Sequence, residues 1–191
     1  MPRFPFRLPA LVMLLGLPML RAAGSPAHVD DPDGLLPPDA PSAPSLEAKL
    51  TGFERASGLK VLVRFQAKSP SAEEDKVDGA YMHALATRLG TVRRGALAVY
   101  FADEDDWRVW IGDESTPGFV GQPGTAEAFT KSGLMHAKKE ALLTATRAAG
   151  DARFAALQKA APPGHPPAPA RRLALEADAL LDGLIGKLSA H

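Results

Sequence analysis

The stretch that most restricts the fold of this 191-residue chain is Gly95–Gly112, GALAVYFADEDDWRVWIG. Ala96 to Ala102 is an unbroken apolar run, too short for a typical globular helix and ending in aromatic residues. A run of that kind reads as a strand buried on both faces, since a half-exposed strand would alternate. Four acids follow, Asp103, Glu104, Asp105 and Asp106. Trp107 to Ile111 then reads as a second strand, rich in aromatic and β-branched residues. A connection of this length suits a hairpin. The expectation is a buried strand, an acidic turn at its far end and an antiparallel return.

The residues upstream supply a crossover. Ser42 to Ser45 can start a helix, with Pro44 tolerated in the first turn. Leu46, Leu50 and Phe53 then form one apolar stripe, and Gly58 is placed to end the helix in the left-handed region. Leu59 to Gln66 alternates, with Leu59, Val61, Val63 and Phe65 on one side. After a turn at Lys68–Ser71, a second helix is expected over Ala72–Leu89, opened by a Ser71/Glu74 capping box. Its core stripe would be Val77, Tyr81, Ala84, Leu85 and Leu89. Strand, helix, strand in this order makes the two strands parallel, with a right-handed connection. The fold class implied is α/β: a small mixed central sheet flanked by helices as an α/β/α sandwich. Trp107 and Trp110 are both expected in the core.

Downstream, Asp113 to Gly124 reads as loop, and Thr125 to Ala149 is helical in composition, with Gly133 weakening its start. Gly150 is expected to stop that helix and Asp151 to cap a short one ending near Ala160. Residues 161–170 form a proline-rich linker, and Arg171 to Leu188 a final amphipathic helix within residues 171–191. The α/β domain itself is expected over residues 28–160.

Residues 1–27 have the pattern of a cleaved export leader: Arg3 and Arg7, an apolar segment from Leu8 to Leu20, then Ala22, Ala23, Ser25 and Ala27. The apolar segment is short of the roughly 20 residues that span a bilayer. No second run reaches that length, so no membrane span is expected in the mature chain. Cysteine is absent, which excludes disulfides and suits a periplasmic or secreted protein that relies on its core. Without the leader, 19 basic residues face 22 acidic ones, and no basic stripe is available to neutralise phosphates. Nucleic acid is therefore not an expected partner.

Chain direction brings two acidic groups together. The first helix leads directly into the first long strand, so its start lies at that strand's carboxyl end. The central strand ends on the same side. The Asp30–Asp33 loop and the Asp103–Asp106 turn should share this rim, the edge where open α/β sheets bind ligands. Asp31, Asp33, Asp103 and Asp105 are the candidate ligands for a hard divalent cation such as Ca²⁺. Their spacing does not follow the helix–loop–helix calcium loop. Acids in a hairpin turn also have a plain role as solvated turn formers. No histidine pair has metal-ligand spacing, no serine sits in a nucleophile elbow, and no catalytic residue is assigned.

On these residues the chain resembles the TPM domain family of thylakoid-lumen and exported bacterial proteins. The shared elements run in order. Val29, Asp31, Gly34 and Leu36 fit a "V-x-D-x-x-G-x-L" lead-in, and Leu46 to Gly58 the amphipathic helix that follows. Leu59 to Gln66 fits a β-strand, Gly95 to Ala102 a "nGvLlxxa" strand followed by acids, and Arg108 to Gly112 an "rixvG" strand. Asp105 and Asp106 stand where an arginine commonly follows the acids. The resemblance implies an α/β/α sandwich and a binding or accessory role toward a protein partner. It also implies calcium binding or, as the alternative, metal-assisted acid phosphatase activity on phosphomonoesters.

Overall fold

The computed structural model describes residues 27–39 and 41–189; apart from Ala27, the expected leader lies outside them. The elements are β1 (Val29–Asp30), α1 (Ala43–Ser57), β2 (Val61–Gln66), α2 (Ala80–Leu89), β3 (Ala96–Phe101), β4 (Asp106–Ile111), α3 (Thr116–Val120), α4 (Ala126–Lys131), α5 (Leu134–Ala160) and α6 (Ala170–Ser189). The sheet order is β1-β2-β3-β4, with β1, β2 and β3 parallel and β4 antiparallel. Helices cover both faces, so the fold is the α/β/α sandwich that the crossover and hairpin imply. No helix among the described residues is long and apolar enough to cross a membrane.

β3 is buried at every position, and its alternation feeds two separate cores. Ala96, Ala98 and Tyr100 join Val61, Val63, Phe65, Trp107, Val109 and Ile111 on one face, under α1 and α6. Leu97, Val99 and Phe101 join Leu62 on the other, under Met82, Leu85 and Ala86 of α2. Fully burying one such Leu or Phe side chain contributes ~1.5–3 kcal/mol, so a strand buried on both faces stabilises the sheet from two sides.

The lead-in expected as loop begins with a strand. β1 pairs with β2 because α1 grips it: His28 Nδ1 lies 2.7 Å from Glu47 and His28 Nε2 lies 2.6 Å from Glu54. The Val29 N–H donates to Glu47 Oε2 at 2.8 Å. Partial burial opposes ionisation of Glu47, but the bonds from His28 and Val29 win and hold its carboxyl below the ordinary range.

Four local expectations change in three dimensions. α2 starts at Ala80 rather than Ala72, because Gly79 sits at φ 76 and breaks the helical path. Ser71 and Glu74 do bond reciprocally, yet they close a turn, and Val77 is 70% exposed. Residues 116–120 of the expected loop form α3, which buries Phe119 and Val120. Gly150 does not end a helix: α5 runs through it to Ala160. There α6 approaches so closely that a Cβ on Gly150 would stand 3.0 Å from Glu176 Cα. A glycine that sequence reads as punctuation is a point of helix–helix contact. Trp107 is buried, whereas Trp110 is only half-buried.

α6 completes the first core with Ala177, Leu180, Leu181, Leu184 and Leu188. Polar bonds set its height on α1: Lys49 Nζ bonds Asp178 and reaches Asp182 at 2.7 Å. Arg153 of α5 meets the same Asp178 at 2.9 Å.

Gly95 and Gly112 bracket the hairpin and tolerate no side chain. A Cβ on Gly95, at φ 106, would lie 2.0 Å from the Lys60 carbonyl oxygen. One on Gly112 would lie 2.6 Å from the Arg94 nitrogen. Gly95→Ala is expected to lower unfolding stability by about 3 kcal/mol, since backbone cannot step aside. Gly186→Ala, in the open on α6, is expected to raise it by up to about 1 kcal/mol. Denaturant melts of the two variants check both signs.

Candidate functional site

The parallel strands end together at Asp30, Gln66 and Phe101, and the acidic turn lies beside them. The Asp31–Asp33 loop and the Asp103–Asp106 turn do share this rim, joined through the segment after β2. Asp33 Oδ2 accepts the Ala67 N–H at 2.9 Å, and Asp103 Oδ1 accepts the Ser69 N–H at 2.8 Å. The Ser69 hydroxyl adds a bond to Asp103 Oδ2 at 3.1 Å. Asp31 closes its own loop by accepting the Leu35 and Leu36 N–H groups at 2.8 and 2.9 Å. Three of the four sequence candidates thus tie backbone segments together. Among the described residues, no group of three or more His, Asp or Glu side chains is arranged to hold a metal ion.

Asp105 behaves differently. It is the one non-glycine at positive φ among the described residues, at 48°, and this turns its carboxylate back over the sheet. Oδ1 accepts the Tyr100 hydroxyl at 2.7 Å, and Arg172 Nη1 stands 3.6 Å from Oδ2. Burial and the Asp105 carboxylate push the Tyr100 phenol well above its ordinary value, so it stays protonated and remains a donor.

Arg172 and Glu176 are one turn apart on α6 and face the same way. Arg172 Nε bonds Asp151 of α5 at 2.7 Å. Arg147, also on α5, bonds Asp106 and stands 3.9 Å from Glu176 Oε1. The antiparallel crossing of α5 and α6 at Gly150 therefore sets four carboxylates, Asp105, Asp106, Asp151 and Glu176, around two guanidinium groups. Glu176 is 4% exposed; its nearest donors are the buried Trp107 indole N–H and Arg147 Nε at 3.9 Å. Burial pushes its carboxyl above the ordinary value, against a smaller pull from Arg172 and Arg147.

Asp105, Arg172 and Glu176 of this network line a cleft of about 580 Å³, within the size range of small-ligand sites. One wall carries Tyr100, Asp105, Arg172 and Glu176, and the other Phe154, Pro166, Pro167 and Pro169. The proline-rich segment read as a linker is thus one side of the cleft. A larger cavity of about 950 Å³ opens at the opposite end of the sheet, beside Phe53, Leu59 and Pro117. It has few ionisable groups, and one of them, Glu114, is held by Arg93 at 2.6 Å. Convergent polar chemistry favours the carboxyl-edge cleft.

Of this site, the sequence singled out Asp105 alone. Tyr100 was hidden in an apolar strand, and Arg147, Arg172 and Glu176 lie in helices where charged residues are ordinary. The available signal was Glu176 beside Ala177 on the apolar side of the last helix. No protein-family model matches the chain, and a search of curated proteins finds no relative.

A raised folded-state pKa means that the native protein holds its Glu176 proton after the unfolded chain has released it. Stability from this residue is present at low pH and is lost as pH climbs from about 4.5 through the raised native value. Glu176→Gln removes that dependence. Its stability relative to the parent is expected to rise across this window and then level off, in denaturant melts taken at successive pH values.

Proposed function

We propose that this chain is an exported binding module whose ligand is a small organic cation, such as an amine or guanidinium compound, seated in the carboxyl-edge cleft. The observation that carries the reading is Glu176: a nearly fully buried carboxyl with no full-strength cation partner, Arg147 standing 3.9 Å away, on the wall of a ligand-sized space. A buried acid of this kind leaves part of its desolvation uncompensated until a cationic donor arrives. Charge supports the sign of the ligand. On the cleft lining two carboxylates, Asp105 and Glu176, outnumber one arginine, Arg172, which already has an aspartate partner. That leaves no free guanidinium here to receive a phosphoryl group, so the cleft favours binding of a cation over phosphate-ester hydrolysis.

The ammonium or guanidinium head would donate to Glu176 and to the outer oxygen of Asp105. An apolar stem would lie against Phe154 and the prolines, where aromatic and proline surfaces remove it from water. The export pattern of residues 1–27 and the TPM-like order of motifs support an accessory role outside the cytoplasm.

Thermal melting tests the reading with an alkylguanidine, an alkyldiamine, sodium phosphate and calcium chloride, each at about 10 mM. An organic cation is expected to raise the midpoint, with the rise lost in Glu176→Gln. Phosphate is expected to have no effect. No shift with either organic cation overturns the proposal. A calcium shift that vanishes in Asp31→Ala plus Asp103→Ala, and survives Glu176→Gln, would place a metal ion on the rim instead.

A further inference from the structure

We infer that the free edge of β4 is a docking site for an extended, lysine- or arginine-rich segment of a partner protein, which adds to the sheet as a fifth strand. This inference stands on a different surface from the cleft and is independent of it.

The edge is open in a definite register. The Gly112 N–H donates to the Gly95 carbonyl at 2.9 Å. Leu97 faces Trp110 and Val99 faces Arg108 in the same ladder. Antiparallel alternation therefore gives the backbone groups of Gly112, Trp110 and Arg108 to β3. It turns those of Ile111, Val109 and Trp107 outward. The Trp107 N–H is satisfied by the Asp106 carboxylate at 2.8 Å. The N–H groups of Val109 and Ile111 have no acceptor among the described residues, and both residues line the groove beside this edge. Outward backbone donors at a sheet edge are open to pairing, and another strand is the partner that such an edge is shaped to take.

The space beside this edge is a groove of about 650 Å³ between α2 and the first turns of α5. Its charge identifies the occupant. Asp78, Asp113 and Glu140 line it, and none has a salt bridge among the described residues. Asp75 is taken by Arg108 at 2.7 Å. Against the three unpaired acids stands Lys139, which lies over the Trp110 ring at 5.8 Å. Burial lowers its ammonium pKa, with Asp78 opposing. Natural sheets guard edges with such lysines. Lys139 here acts as a displaceable cover: it has no salt bridge to break, and an incoming basic strand would repel it. The segment's apolar residues would continue the face of Val109 and Ile111 toward Met135 and Leu143, with its basic residues meeting the acids.

The test uses a fluorescent peptide of about eight residues in which lysine alternates with valine, titrated into the full chain and followed by anisotropy. A second arm follows amide hydrogen exchange. Binding is expected to slow exchange at Val109 and Ile111. It should weaken by roughly tenfold or more when alternate peptide nitrogens are methylated, the loss for two ladder hydrogen bonds. Lys139→Ala should tighten binding, and Asp78→Lys plus Asp113→Lys should weaken it; all three changes are on exposed or movable side chains and spare the core. Equal binding of the methylated peptide, or unchanged exchange at Val109 and Ile111, overturns the inference. So does protection of these amides without peptide in a protein that sediments as a dimer, since a second copy would then hold the edge.

Discussion

Everything in this molecule leans on the exclusion of water from both faces of β3. Six consecutive buried residues cannot satisfy a surface sheet, so the chain must supply a layer on each side. α2 does so for Leu97, Val99 and Phe101, and α1 and α6 do so for Ala96, Ala98 and Tyr100. The small residues Ala96 and Ala98 matter as much as the large ones. They leave room for Phe65 and Trp107 to meet edge to face, with ring centres 5.6 Å apart. A core divided in this way fixes strand register tightly, because a slip of one residue would exchange its two halves.

The same constraint creates the site. Tyr100 is the last residue of β3 on the α6 side, and its ring fills the core while its hydroxyl reaches the rim. There it meets the turn forced by Asp105. α6 must lie over this end to cover the aromatic cluster, and it carries Glu176 into the covered zone. The polar cleft is thus a by-product of closing the core that has been fitted with charge. Closing it leaves one carboxyl under-satisfied, the condition in which a ligand contributes most.

Much of the fold was legible because its signals are local. An apolar run of the length of Ala96–Phe101, the alternation of Val61–Gln66 and the i, i+4, i+7 stripe of Leu46, Leu50 and Phe53 each state their element directly. The common rim of Asp33 and Asp103 followed from chain direction alone. Glycine was the weakest guide. Gly79 breaks a helix that composition would have begun earlier, and Gly150 continues one that composition would have ended. Gly79 acts through its own left-handed φ, whereas Gly150 is a point of close approach to Glu176 from far along the chain. Asp31, Asp33 and Asp103 looked like ligands because an acidic loop reads identically whether its oxygens face water, a cation or backbone N–H groups.

By itself, then, the amino-acid order determined the three long strands, the main helices, their directions and the two-sided burial that demands an α/β/α sandwich, since these depend on periodicities within a few residues. Only the tertiary structure decided which charges meet. Asp105 of the hairpin turn meets Arg147, Arg172 and Glu176 through the packing of α5 and α6 over the end of the sheet, and the outward N–H groups of Val109 and Ile111 are left without acceptors among the described residues by where the sheet stops. Electrostatic neighbourhoods and open edges are properties of distance in space, and chain order carries no record of them.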